Sequence, residues 1–419
     1  MPLRFFIIIS LILLAEYYSF IVVRSALRTL PNFWRVGIMT LYIALTLAAW
    51  AGVIFFRKID WAHIPHYVRN IYVAFSLGLI VGKLLVLVVM LVDDLRRLVL
   101  YLINLCYTGG TKAEAIADAP VANGISRSIF LSRLALIIGG TTLGGFLYGI
   151  TNRYNYQVKR VKLAFSKLPV SFRGLKIVQI SDIHSGSFDN HAAVAKGVAR
   201  VLAEKPDLIL FTGDLVNNRA EEMIPYMELF SSLKAPMGVY STLGNHDYGD
   251  YVEWPSLQAK HENLEALKAT HAKMGWKLMM NEHVLLRRGE DSIALIGIEN
   301  WSAKPQFPKY GDMAKAYAGL ENENAPVKIL MSHDPSHWDA QVLPDYPEVD
   351  LTLAGHTHGM QFGIEIPGFK WSPIEYVYKK WAGLYQTGSQ YLYVNRGYGF
   401  LGYPGRLGIL PEITVFELV

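Results

Sequence analysis

Hydrophobic and polar positions divide the chain into two unlike parts. Four long apolar runs come first, at Phe5 to Val23, Val36 to Phe56, Ile71 to Val92 and Ser128 to Ile150. Each is close to the ~20 residues that a helix needs to cross a bilayer. Charged residues bracket them: Arg4 and Arg24 around the first, Arg57-Lys58 after the second, and Asp93-Asp94-Leu95-Arg96-Arg97 after the third. The pattern predicts an all-α transmembrane domain of about four helices over 1–153. Leu98 to Tyr107 is too short to span and reads as interfacial or as a continuation of the third helix. Ala113 to Gly124, small and polar, reads as a loop. A cleavable leader is not expected, because three more spans follow the first and no small-residue cleavage site stands out.

From Tyr154 to the C-terminus the period shortens. Five segments share one grammar, a β-rich apolar run that stops at polar, metal-competent residues. They are Lys176-IVQIS-Asp182-Ile183-His184, Asp207-LILFT-Gly213-Asp214, Val239-YSTL-Gly244-Asn245-His246-Asp247, Val327-KILMS-His333-Asp334 and Asp350-LTLA-Gly355-His356-Thr357-His358. Helical patterns at His191 to Lys205 and Ala220 to Leu233 separate the first three. A further helix is expected over Trp254 to Trp276, with Leu257, Leu264, Leu267 and Met274 packing on the core. Asp291 to Asn300 reads as a strand. Strand–helix–strand repetition predicts a layered α/β fold over 154–419. In such folds the loops at one sheet edge build the site, so the five polar clusters are expected to converge there.

Convergence makes a specific chemistry available. His356 and His358 stand at i and i+2, which on an extended strand end point the same way. That pair alone is a weak signal. Joined by Asp182, His184, Asp214, Asn245 and His333, it becomes a set of carboxylates, imidazoles and one amide oxygen. Such a set suits two divalent ions sharing a carboxylate, able to clamp a phosphoryl group and activate water. Manganese, iron or zinc fits these donors better than magnesium alone. His246, next to Asn245, is placed to donate a proton to a leaving oxygen or to stabilise phosphoryl charge.

The five blocks resemble the calcineurin-like metallophosphoesterases, whose pattern is D-x-H, G-D, G-N-H-[DE], H and G-H-x-H in that order. All five are intact over roughly the last 245 residues. The resemblance implies a four-layer α/β/β/α sandwich. It implies a first metal held by Asp182, His184, Asp214 and His358, and a second held by Asp214, Asn245, His333 and His356. Asp214 would then bridge, and His246 would be the catalytic histidine. The stretches LPVSFRGLKIVQISDIHSG, GVYSTLGNHDY and YVNRGYGFLGYPGRLGILPEITVFEL look like the membrane-associated bacterial branch of the family. That branch includes phosphoesterases resembling UDP-2,3-diacylglucosamine hydrolases, which implies a phosphorylated, lipid-linked substrate. The chain departs from relatives at Gly359-Met360, where a second glycine is usual.

Composition agrees with membrane content: 52% of residues are hydrophobic, 18% are charged and the mean hydropathy is +0.23. The net charge of +5 is spread along the chain, so no nucleic-acid-binding patch is expected. A single cysteine, Cys106, excludes an intramolecular disulfide and a cysteine-based zinc knuckle. The expected location is a bacterial inner (plasma) membrane, as a multi-pass protein. Loop charges leave the side of the catalytic domain undecided, with eight basic residues facing one way and seven the other. Glu16 and Lys83 lie inside spans, where they either pair with each other or mark a functional site. Between Phe362 and Trp381, aromatics alternate with Lys379 and Lys380 in a stretch that suits a lip at a membrane surface. Arg396, Arg406 and Trp371 are candidate substrate contacts. Three readings follow: a phosphoesterase or pyrophosphatase on a lipid-linked substrate, the same chemistry on a soluble nucleotide or phosphoprotein, and a transporter or receptor using the metal domain for binding.

Overall fold

The computed structural model describes residues 3–55, 64–107 and 127–419. Phe56, Arg57-Lys58 and the expected loop from Ala113 to Gly124 lie outside the described residues. The chain divides into two compact units, 1–150 and 151–419.

Among the described residues, the first unit contains four helices long and apolar enough to cross a membrane: α1 (Leu3–Ala26), α2 (Asn32–Ile54), α3 (His66–Tyr107) and α4 (Arg127–Asn152). Leu98 to Tyr107 continues α3 without a break. The resulting 42 residues make a rod of about 63 Å, roughly twice the hydrocarbon thickness. That length explains why α3 tolerates a polar cluster in which Arg96 and Arg97 both pair with Asp93. Helices in lipid gain from close backbone approach, and α3 meets α4 through glycine: a methyl on Gly82 would sit 2.9 Å from the Gly139 carbonyl oxygen. Glu16 and Lys83 do pair, at 2.6 Å. Lys83 Nζ also donates to Thr46 Oγ1 at 2.8 Å, and Trp50 Nε1 to Glu16 Oε1 at 2.7 Å. The ion pair therefore ties α1, α2 and α3 together and leaves neither charge alone in the apolar interior.

The second unit is the expected α/β/β/α sandwich. Its strands are β1 (Gln157–Leu163), β2 (Lys176–Ile180), β3 (Leu208–Phe211), β4 (Val239–Ser241), β5 (Lys277–Leu278), β6 (Glu282–Arg288), β7 (Asp291–Gly297), β8 (Lys328–Met331), β9 (Leu351–Ala354), β10 (Ile364–Ile366), β11 (Phe369–Trp371), β12 (Gly383–Thr387), β13 (Gln390–Val394) and β14 (Glu412–Leu418). One six-stranded sheet runs β1-β14-β2-β3-β4-β5 and the other β12-β13-β9-β8-β7-β6, while β10 and β11 form a separate ribbon.

Period-two alternation places the layers. Ile177, Leu208 and Leu210 face the second sheet and pack with Ile293, Leu295, Ile329, Met331 and Leu353. Their neighbours Val178, Ile180, Ile209 and Phe211 point the other way, onto α5 (His191–Ala203), α6 (Met227–Ser231) and α7 (Leu257–Lys273). Outside the second sheet, Ala294, Ile296 and Leu330 meet Trp338, Val342 and Met313 of α8 (Met313–Tyr317). Two sequence expectations shift. Pro225 holds Ala220–Tyr226 to a 3-10 turn before the short α6, because proline cannot donate to a continuing helix. Leu257, expected on the core face, begins α7 and is 86% exposed, whereas Leu267 and Met274 are buried as expected.

Candidate metal centre

Each predicted ligand sits just past the C-terminal end of a strand: Asp182 and His184 after β2, Asp214 after β3, Asn245 after β4, His333 after β8, His356 and His358 after β9. The backbone there is turned hard. Asp182, His184, Asp214, His356 and His358 all adopt positive φ, between 49° and 69°. Non-glycine residues rarely do so, and such strain gathers at functional sites. The turns are stitched across both sheets. The Asp182 carboxylate accepts from His356 N at 3.0 Å, Asp182 N donates to Gly213 O, and His184 N donates to Asp214 O. Gly355 allows this closeness, since a side chain there would meet the Asp182 carboxylate.

Two clusters of donor atoms result. In one, His358 Nε2 lies 3.0 Å from His184 Nε2 and 3.2 Å from Asp182 Oδ1. In the other, His333 Nε2 lies 3.1 Å from Asp214 Oδ2, and His356 joins the group. Asp214 Oδ2 is also 3.6 Å from His184 Nε2, between the two clusters. Donor atoms about 2.0–2.2 Å from one ion stand about 3.0–3.5 Å apart, the spacing of the His358–His184, His358–Asp182 and His333–Asp214 pairs.

The protons of these groups support the same reading. His333 Nδ1 faces the Thr212 carbonyl at 2.7 Å, so Nδ1 carries a proton and Nε2 is the ring atom turned toward Asp214. His356 Nε2 contacts the Tyr378 hydroxyl at 2.9 Å, and that hydroxyl donates to Asp334 Oδ2 at 3.1 Å. With its proton at Nε2, His356 presents the Nδ1 lone pair to Asn245 Oδ1 at 2.8 Å. Asn245 keeps that orientation by donating from Nδ2 to Tyr251. Two acceptors facing each other in a buried site call for a cation between them. Burial would lower the His333 pKa, yet the Asp214 charge overrides it and raises it to about 10. The site thus draws positive charge to the place where a divalent ion would supply it. Burial lowers His184 and His356 below the ordinary imidazole value, keeping them neutral as ligands must be. Despite burial, which alone would raise it, His333 and His246 hold the Asp214 carboxyl well below its usual range. The residues present therefore fit two divalent ions.

His246 stands apart from the donors. Its Nδ1 faces the Asn217 carbonyl at 2.8 Å, which leaves Nε2 as the free ring nitrogen, and its backbone N–H donates to Asp214 Oδ1 at 2.9 Å. The ring is partly exposed and lies 5.0 Å from the His184 ring.

Two expectations need correction. Arg396 is buried and its fork is held by Glu412 and by Glu365, the latter at 2.9 Å. Arg406 is fully buried; it donates to the carbonyls of Arg396, Gly397 and Gly399 and lies 3.3 Å from His358 Nδ1. Neither guanidinium is available to a substrate phosphate. Trp371 is half-buried on β11, and its indole N–H faces the Tyr376 hydroxyl; it joins none of the donor groups. Three residues that do serve the site were not singled out from sequence: Asp334, Tyr378 and Asp247. Asp247 is the acid of the Gly-Asn-His-Asp block. Its carboxylate accepts from the backbone N–H groups of Asp214, Leu215, Val216 and Gly244, and burial with the Asp214 charge pushes its pKa up to about 7.

Comparison with known proteins gives matches over both units. A family model for calcineurin-like phosphoesterases matches residues 175–360. A second, for the transmembrane domain of a probable calcineurin-like phosphoesterase, matches residues 3–153. A transmembrane protein with metallophosphoesterase domain from Danio rerio is 33% identical over 305 residues, 71% of this chain and 64% of that protein. The chain thus spans slightly under two thirds of that relative's length. The uncharacterized metallophosphoesterase YkuE of Bacillus subtilis is 32% identical over 307 residues, 70% of this chain and 98% of its own. The UDP-2,3-diacylglucosamine pyrophosphatase LpxG of Chlamydia trachomatis is 27% identical over 289 residues, covering 58% of this chain and 83% of that enzyme.

Proposed function

The chain belongs to the calcineurin-like phosphoesterases, and on that premise we propose that it is a membrane-anchored hydrolase of a phosphate ester or pyrophosphate bond in a lipid-linked substrate. The observation that carries the chemistry is the pair of donor clusters joined at Asp214. When bound there, two divalent ions (manganese, iron or zinc) would supply Lewis acidity at the phosphoryl oxygens and lower the pKa of water. The chain's own residues do the rest. Asp182, His184, Asp214 and His358 would hold one ion; Asp214, Asn245, His333 and His356 would hold the other. The Asn217 carbonyl fixes the His246 tautomer, so Nε2 can stabilise phosphoryl charge or pass a proton to the leaving oxygen. The lipid-linked substrate is supported by four membrane-length helices in the same chain and by likeness to a pyrophosphatase of a lipid precursor. A bacterial inner membrane fits that substrate class.

The test uses purified full-length protein in detergent, stripped by chelator and reloaded with manganese. The substrates are a lipid-linked diphosphate, its lipid-free nucleotide counterpart and an aryl phosphodiester. Metal-dependent turnover that favours the lipid-linked compound and vanishes in Asp214→Asn is expected. Equal turnover of lipid and lipid-free compounds would shift the reading to a soluble nucleotide or phosphoprotein substrate. No metal-dependent hydrolysis of any of the three would leave a binding module.

A further inference from the structure

The short ribbon that follows the metal ligands is built inside out. Ile364 pairs with Trp371, Glu365 with Lys370 and Ile366 with Phe369 across β10 and β11. Directly opposed residues share a face and successive residues alternate. One face therefore carries Ile364, Ile366, Phe369 and Trp371, and the other carries Glu365 and Lys370. In a water-soluble ribbon the apolar face packs on the body and the charges point out. Here the charges are bound to the protein. Glu365 pairs with Arg396 at 2.9 Å and with Lys159 at 3.3 Å, and Lys370 Nζ donates to the Ala382 carbonyl. The apolar face is left open: Ile364 is 49%, Ile366 58% and Phe369 53% exposed.

A one-residue slip in register would reverse the two faces, yet the Pro367-Gly368 turn, with Gly368 at φ 81°, and the Arg396 pair fix it as it stands. The neighbouring turn adds Tyr376 and Val377, both exposed. Of the fourteen large hydrophobic residues exposed between 151 and 419, seven fall within 360–384. Such crowding marks an interaction surface, whereas single exposed apolar residues do not.

The ribbon is also fastened to the metal centre. Ser372 Oγ donates to the Gly359 carbonyl at 2.9 Å, Thr357 Oγ1 donates to the Trp381 carbonyl at 2.7 Å, and Tyr378 reaches His356 and Asp334. We propose that the apolar face of β10–β11 and the adjoining turn dip into the bilayer surface, seating the rim of the metal centre at the headgroup layer. The bilayer is the occupant that fits. The same chain carries four membrane-length helices, and only residues 153–156 separate α4 from β1. The patch combines aliphatic tips with Trp371 and Tyr376, the residue types that settle at membrane interfaces. Its use in admitting substrate rests on the lipid-linked reading above; its contact with lipid does not.

The experiment places an environment-sensitive fluorophore at Ile366→Cys, in full-length protein carrying Cys106→Ser and reconstituted in phospholipid vesicles. Emission shifted to the blue and quenched by lipids with spin labels on their acyl chains is expected. The same label at Leu257→Cys, an exposed site on α7, should report water. Water-like emission at position 366 would overturn the proposal. So would shielding that follows protein density and ignores spin-labelled lipid, which would assign the face to a second copy of the chain. Ile366→Asp with Phe369→Asp should lower turnover of a vesicle-borne lipid diphosphate roughly tenfold, about the worth of one buried large apolar side chain, and spare the soluble aryl diester. If the label reports lipid but both substrates are unaffected, the membrane contact stands and the lipid-substrate reading falls.

Discussion

Asp247→Asn tests how the metal centre is held in shape. The Asp247 carboxylate is fully buried, with one oxygen accepting from Asp214 N at 2.9 Å and Gly244 N at 2.8 Å. The other accepts from Leu215 N at 2.8 Å and Val216 N at 3.3 Å. An asparagine amide keeps one oxygen and turns an NH2 group toward the other two N–H donors. Two buried donors are then left without an acceptor, at about 1–3 kcal/mol each, so a loss of about 4 kcal/mol is expected. That is a large share of the ~5–15 kcal/mol by which a domain is stable, but not all of it. The freed loops carry Asp214 and Asn245, so affinity for manganese should drop by about 10- to 100-fold, as when other groups that orient ligands are removed. Denaturant unfolding of the full-length protein in detergent and calorimetric manganese titration measure the two effects. Asp250→Asn is the control, because Asp250 pairs with Lys260 near the surface, a pair worth about 0–1 kcal/mol. If Asp247→Asn unfolded like Asp250→Asn and bound manganese like the parent, the clamp would have no such role.

Three more expectations can be checked on the same preparation. Lys83→Met leaves the Glu16 carboxylate without its countercharge and should cost about 3–5 kcal/mol; the double change with Glu16→Gln should recover most of it, and equal unfolding of the two variants would show that the pair does not hold the helices. Burial lowers His271 to about 3 and His337 to about 4 from 6.5, so the folded chain stays neutral there while the unfolded chain takes up protons. Stability from this source is complete above pH 6.5 and falls as pH drops, by about 2 kcal/mol for each histidine at pH 5; an unchanged pH slope in His271→Gln would refute the assignment. His246→Gln should lower kcat by about 10²–10⁴ with manganese content unchanged, and loss of manganese would instead make His246 a ligand.

What could be read from the sequence follows from what repeats in it. Strand positions were legible because a run such as Lys176–Ile180 is apolar on both faces and ends in polar residues. The site was legible because chemistry at strand ends is confined to a few residue types in a fixed order. Geometry was not. Nothing in the letters Asp-Ile-His marks positive φ at Asp182 and His184, since that turn is imposed by Gly213 O, Asp214 O and the second sheet. Tyr378 lies 22 residues past His356 in a stretch whose pattern spoke only of aromatics. Asp247 was visible as a letter of the Gly-Asn-His-Asp block, but its role depends on which amides surround it in space.

Arg396 shows why proximity in sequence to a metal motif is a poor guide to phosphate binding. An arginine near a phosphoryl site invites the inference that its planar fork meets the substrate. In the folded chain that fork is filled by Glu412, which is fully buried and also receives Tyr393 and Thr414, and by Glu365 of the ribbon. Turning Arg396 to a phosphate would leave a buried carboxylate unpaired, a change that costs several kcal/mol. The two acids explain why the position holds arginine: a lysine ammonium is a point charge and cannot span both with parallel donors. The same pairing keeps Glu365 on the protein side of the ribbon, and with it the apolar face on the outside. The residue nominated for substrate recognition thus acts one step earlier, by fixing which face of β10–β11 the surroundings meet.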